Sequence, residues 1–367
     1  ANIGGSSVSL HFYGWGRVDL ADQTGTGKES GDLGSAYLEY LHPKGNAQMK
    51  LGRFFLAEGV AVETLDGAFF KVTTPVGIGI SGYGGVPVEH SILDNVSTGT
   101  SLYGGRVFFV RAGFVELGAS YLKEKGPFQG KDRELYGGDL WLRVFGPVEL
   151  TGQAMYNRST RGMASQRYAV RVVPGSRFDI SAGYEAYSYK DLFQTSLHPA
   201  FLSSPTFDIT DKVQTIFGVV DWEVVSGLTL ELAAKSIRHD NVSMGTVNRG
   251  EVGVRYAFND KRDVIGLSAA AVTADQDRNE YQEFRGFATW SPAKFRFSLD
   301  ALTQKYKKEI DGRKNAHQVV ATAGYRLLAA LQLSGDLTYT KSPNFKEDYA
   351  GLLRATLELG TAAGGKK

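Results

Sequence analysis

The 367-residue sequence contains no cysteine, which removes disulfides, thiolate metal sites and thioether haem attachment together. Long apolar runs are missing as well: none approaches the roughly 18 residues a spanning helix requires, so a helical membrane protein is excluded. Neither sign of charge is in excess, the formal net charge being +2, and nucleic acid, which calls for a basic face, is not an expected partner. No linker or shift in composition divides the chain, although a soluble protein of this length is expected to split into several domains. One domain, 1–367, is the reading, with strands over about 8–359 and a Gly-rich tail at 361–367. The start at Ala1 shows no basic n-region or apolar h-region, so an exported form is expected to have lost its signal peptide.

What is abundant is glycine, at 45 residues, and aromatic residues, at 12 %. Both suit many short strands. The stretch Glu134 to Asn157 shows the repeating unit. Tyr136, Gly138, Leu140, Leu142 and Val144 share one parity, and Gly137, Asp139, Trp141 and Arg143 the other. That is the period of a strand. After Gly146-Pro147 the alternation resumes, with Val148, Leu150, Gly152, Ala154 and Tyr156 against Glu149, Thr151, Gln153, Met155 and Asn157. A soluble sandwich would turn its apolar parity to a core filled by a second sheet. Here the polar parity carries a row of charges, and an apolar belt outside with a charged face inside describes a membrane barrel.

About twenty such segments recur, of the nine to eleven residues expected of a tilted spanning strand. Their connections alternate in length. Short ones fall near 42–47, 74–76, 111–113, 145–148, 173–177, 224–227, 258–263, 291–294 and 328–330. Longer ones are expected near 21–32, 57–67, 84–100, 123–133, 158–165, 188–212, 239–248, 273–280, 306–314 and 341–348. The loops at 84–100 and 188–212 contain apolar residues and could cap the mouth or pack on their neighbours. Short turns are expected in the periplasm, with both chain ends beside them, and longer loops outside. Trp222, Phe258, Trp290 and Tyr325 precede short turns, whereas Tyr103, Tyr121, Tyr136, Tyr156, Tyr168, Tyr184, Tyr339 and Tyr349 sit at the other strand ends. These form two aromatic girdles, where amphipathic rings favour the lipid and water boundary.

The inward parity holds the candidate site residues, and all are lumen-lining charges. The bases are Arg17, Lys50, Arg143, Arg167, Arg171, Lys235, Arg255, Arg285, Arg296, Arg326 and Arg354. They interleave with Asp19, Glu39, Glu116, Asp139, Glu149, Asp179, Glu185, Asp221, Glu231, Glu251, Glu283, Asp300, Asp336 and Glu358. Such residues set a transverse field on solutes in a water-filled pore, and they also brace the wall as cross-strand ion pairs. Mixed signs predict weak ion selectivity.

Other motifs lack their context. Gly77, Gly79 and Gly82 match G-x-G-x-x-G but lie inside an alternating strand with no following helix. The six histidines show no ligand spacing, and nothing singles out a nucleophile for a hydrolase barrel. No catalytic residue, metal or cofactor is expected.

Alternation, girdles and turn asymmetry over nearly the whole chain resemble the Gram-negative outer-membrane porins as a superfamily. Leu51-Gly52-Arg53 and Leu65-Asp66-Gly67 resemble the L-G-R and L-D-G segments of several porin-like barrels. The chain departs from them in ending on no aromatic residue and in showing no acidic Gly-rich constriction loop. The resemblance implies an all-β, antiparallel up-and-down barrel in the outer membrane, among phospholipid and lipopolysaccharide, passing small polar solutes and doing no enzymatic chemistry. Twenty strands spaced about 4.8 Å and tilted near 40° give a backbone diameter of roughly 40 Å. A lumen that wide is either narrowed by loops, as in a porin, or filled. The second case resembles the barrel sheath of a porin-cytochrome conduit, housing a periplasmic multihaem cytochrome for extracellular electron transfer. Small inward residues such as Gly118, Ser120, Ser181, Gly183 and Gly253 suit either.

Overall fold

The structure, a computed structural model, describes residues 7–18, 29–90, 95–97, 100–128, 131–193, 210–241, 245–328, 331–343 and 347–357. Almost all of them are strand, as alternate side chains of opposite character require. The first half comprises β1 (Val8–Val18), β2 (Glu29–Leu41), β3 (Ala47–Glu58), β4 (Ala61–Thr73), β5 (Ile78–His90), the short β6 (Asn95–Ser97), β7 (Leu102–Arg111), β8 (Val115–Phe128), β9 (Lys131–Phe145) and β10 (Val148–Asn157). Next come β11 (Gly162–Gly175), β12 (Phe178–Ser188), the one-turn helix α1 (Tyr189–Phe193), β13 (Lys212–Val225), β14 (Leu228–His239) and β15 (Thr246–Phe258). The chain continues with β16 (Asp263–Ala274), β17 (Tyr281–Trp290), β18 (Phe295–Ile310), β19 (Arg313–Leu328), β20 (Leu331–Lys341) and β21 (Asp348–Leu357).

Every long strand pairs antiparallel with the next, and β5 pairs past β6 with β7. The result is one up-and-down sheet of twenty long strands. Its edges are β1 and β21, which are not bonded to each other among the described residues. Among the described residues no helix is long and apolar enough to cross a membrane.

The register places whole rows of like character side by side. Leu51, Val107, Leu140, Leu232, Leu267, Leu299 and Leu337 are exposed on one face. So much exposed apolar area marks a surface made for a non-aqueous neighbour. At its upper border Tyr136 pairs in register with both Tyr121 and Tyr156, and the Tyr121 and Tyr136 rings lie 5.2 Å apart. At the lower border Phe178 stacks on Trp222 at 5.7 Å, and Phe295 meets Tyr325 at 4.8 Å.

Three connections expected as longer loops are strand instead. Those at 57–67 and 306–314 close as hairpins across Gly59-Val60 and Asp311-Gly312, and around 123–133 β8 and β9 pair up to Phe128 and Lys131. Beyond the belt both faces of a hairpin meet water, as in the run Lys305 to Glu309. Sequence alternation therefore stops before the ladder does. The loop expected at 84–100 begins as an extension of β5, which runs to His90 and pairs there with β6. Of the loop at 188–212, residues 194–209 lie outside the described residues, and the preceding part forms α1.

Candidate functional site

The tip of the β3 and β4 hairpin leaves the wall. The β2 and β3 ladder ends at Ala36 and Arg53, and the β4 and β5 ladder begins at Leu65 and Pro87. Residues between, from Phe54 to Thr64, pair only within their own hairpin. Their sequence explains where they go. Phe54, Leu56, Val60, Ala61 and Leu65 are buried against Tyr83, Leu102, Leu122 and Leu135. Leu122 and Leu135 stand on the parity opposite the exposed belt residues Leu117 and Leu140. The hairpin is therefore folded onto the inner, charged face, where burying each large side chain contributes on the order of 1.5–3 kcal/mol before ordering entropy is subtracted.

Small residues on the wall make the seat. The Val60 amide donates to Ser120 Oγ at 3.1 Å. Gly59 has φ +61, and a Cβ there would stand 2.4 Å from Ser120. A Cβ on Gly137 would stand 2.2 Å from Val60 Cγ1.

Charged groups fasten the edges of the same hairpin. Arg133 on β9 donates to Glu63 at 2.7 Å and lies 3.4 Å from Glu124. Arg106 on β7 is buried and divides its guanidinium among three carboxylates: Glu58 at 3.4 Å, Glu116 at 2.9 Å and Asp139, which takes both Nε and Nη2. Lys71 holds Glu58 from the other side at 3.2 Å and lies over the Phe108 ring at 4.7 Å. Buried pairs of this kind contribute little net stability, but losing one partner strands a charge, so they fix position more than they add energy. Beside the turn is a cavity of about 450 Å³ lined by Glu58, Lys71, Arg106, Glu116, Asp139, Gln153 and Arg167 among others.

Of the charges read from the sequence, the structure joins many across strands of the inner face. Arg143 meets Glu149 at 2.6 Å, and Glu149 lies 3.9 Å from Arg171, which chelates Asp179. Arg167 meets Glu185 at 2.9 Å, Arg285 meets Asp300 at 3.0 Å, and Asp336 lies 3.7 Å from Arg354. Glu39 pairs with His11 at 3.0 Å, while Glu251 and Glu283 converge on Arg249 at 2.9 and 2.6 Å. Glu231, Lys235, Arg255, Arg296 and Arg326 occupy the same parity and form no salt bridge among the described residues. The side chain of Arg17, and Asp19 and Glu358 entirely, lie outside the described residues.

Sequence reasoning missed Arg106, Arg133, Glu58, Glu63 and Lys71, which hold the hairpin. The signal was present in one place: Phe54, Leu56, Leu122 and Leu135 put large apolar residues on the parity that is otherwise charged. Two such patches, far apart in sequence, cover one another.

No protein-family model matches this sequence, and no curated protein does. Solved structures do. OccK3 (OpdO) of Pseudomonas aeruginosa matches with TM-score 0.51 and 10 % identity over 85 % of this chain and 94 % of that one. A chain of the E. coli P pilus tip assembly intermediate PapC-PapD-PapK-PapG matches with TM-score 0.53 and 10 % identity over 96 % of this chain and 57 % of that one. A structure of porin matches with TM-score 0.44 and 12 % identity over 76 % of this chain and 99 % of that one. At such identities the likeness is one of fold alone, that of an antiparallel up-and-down β-barrel.

Proposed function

We propose that this chain is an outer-membrane conduit giving passive passage to small polar or ionic solutes, its lumen lined by the inner-face charges and narrowed by the inward hairpin. One observation carries the reading. The hairpin from Phe54 to Thr64 abandons both neighbouring strands to lie on the charged face, where four wall strands supply its seat. A wall built only to insulate a partner gains nothing from such an insertion; a pore gains a defined width. Short turns would then lie in the periplasm, together with the start of β1 and the end of β21, and the longer connections outside.

The sheath reading, with a multihaem cytochrome inside, draws no comparable support. Ser120 and Gly118, two small inward residues that suit a close partner, are covered by the chain's own Val60 backbone and Arg106 side chain.

The test is electrical. The refolded protein in a planar bilayer should give discrete conductance steps in KCl without any added protein. A variant in which residues 56–63 are replaced by a two-residue Asn-Gly turn should give larger steps. A protein that inserts but passes no current in either form sinks the proposal.

A further inference from the structure

The cavity beside the hairpin turn has a feature that its net charge conceals. Among its lining residues three are acidic (Glu58, Glu116, Asp139) and three basic (Lys71, Arg106, Arg167), so the sum is zero. The signs are separated in space. Arg106 is buried behind Glu116 and Asp139 and spends its donors on carboxylates, while Glu116 is 43 % exposed. Two cations, Arg106 and Lys71, face three anions at that wall, which leaves it one negative charge in excess. Across the cavity the Arg167 side chain is 66 % exposed; Glu185 balances its charge at Nε, which leaves that side neutral in sum and its two Nη groups as the donors on offer. Asp139, Gln153 and Arg167 are consecutive register partners on β9, β10 and β11, so the two signs stand two strand spacings apart, about 10 Å between backbones. Gln153, between them, offers an amide.

From this arrangement we infer a solute subsite for small zwitterions, molecules carrying an ammonium and a carboxylate within one amino-acid or dipeptide length. The inference rests on the conduit reading and names the substrate class of its narrowest part. Glu116 and Asp139 take the ammonium, Arg167 takes the carboxylate in the bidentate manner suited to guanidinium, and Gln153 hydrogen-bonds either end. Lone anions meet the carboxylates and are repelled, and lone cations leave the Arg167 donors unused, so neither makes both contacts the zwitterion makes.

Liposome uptake of glycine, of glycinamide at mildly acidic pH where it is a monocation, and of N-acetylglycine, a monoanion, tests this directly. Glycine should enter faster than both, by roughly 5- to 10-fold, the scale of one ordinary net hydrogen bond. Arg167→Gln should bring glycine down to or below glycinamide, and Glu116→Gln should bring it toward N-acetylglycine. KCl conductance of each variant reports that the barrel has formed. If glycinamide outruns glycine in the unmodified protein, or if the glycine advantage survives both substitutions, the subsite is wrong while the conduit stands. A barrel that conducts no KCl overturns the conduit reading and the subsite with it.

Discussion

Val60 rests on the bare backbone of Gly137, with no room between them for a β-carbon. The contact joins a hairpin turn to a wall strand and sets how deep the hairpin sits. A Gly137→Val substitution should therefore lift the tip, at an overpacking cost of about 1–3 kcal/mol. The measurement is paired: the thermal midpoint in detergent should fall, and single-channel conductance should rise. A lowered midpoint with unchanged conductance would show that Val60 does not limit the opening.

Arg133 is the second fastening. Arg133→Met takes away the cation that Glu63 and the buried Glu124 share, and should cost about 3–5 kcal/mol as other broken buried pairs do. Adding Glu63→Gln and Glu124→Gln to that variant removes the carboxylate charges that Arg133 had balanced and should return most of the loss. Urea unfolding of the three proteins in the same micelle decides it; equal midpoints for single and triple variants would contradict the account.

Leu267 and Ser268 are neighbours in β16 on opposite faces. Leu267→Arg places a charge in the belt and should destabilise by about 2–4 kcal/mol. Ser268→Arg adds the same side chain to the charged face and should be nearly neutral. Should the two cost the same, the assignment of faces fails.

Asn157 is fully buried where β10 ends. Its Nδ2 donates to the Asp191 carbonyl at 2.7 Å, and its Oδ1 accepts from the Ser159 amide at 2.9 Å. Asn157→Leu should leave these groups unpaired at about 1–3 kcal/mol and free α1 from the wall. Limited proteolysis after Tyr189 or Phe193 should accelerate in that variant and not elsewhere in the chain.

Most of the wall was legible from alternation alone, because a strand with lipid on one side and water on the other must write its two environments into alternate residues. The hairpin about Gly146-Pro147 and the girdle tyrosines at 136 and 156 followed from that rule and pair as it requires. The hairpins about Gly59 and Asp311 did not, since outside the bilayer a strand needs no alternation to stay paired. The inward hairpin escaped for a different reason. Its apolar residues keep the strand period but occupy the inner parity, and only their contact with Leu122 and Leu135 shows what they are for. Arg106 could not be singled out among many inward bases because its three partners come from three other hairpin arms.

Arg133 and Glu63 are 70 residues apart in the chain. The hairpin is complete as soon as β4 has been laid down, yet its berth is assembled from β7, β8 and β9, and closing so long a loop precedes any reward for the contact. Insertion must accordingly proceed with a loose, greasy finger that finds its place only after several more strands have arrived. Its berth is whole once β9 has arrived, with β10 to β21 still to come, so the finger can be moored long before the wall around it is finished.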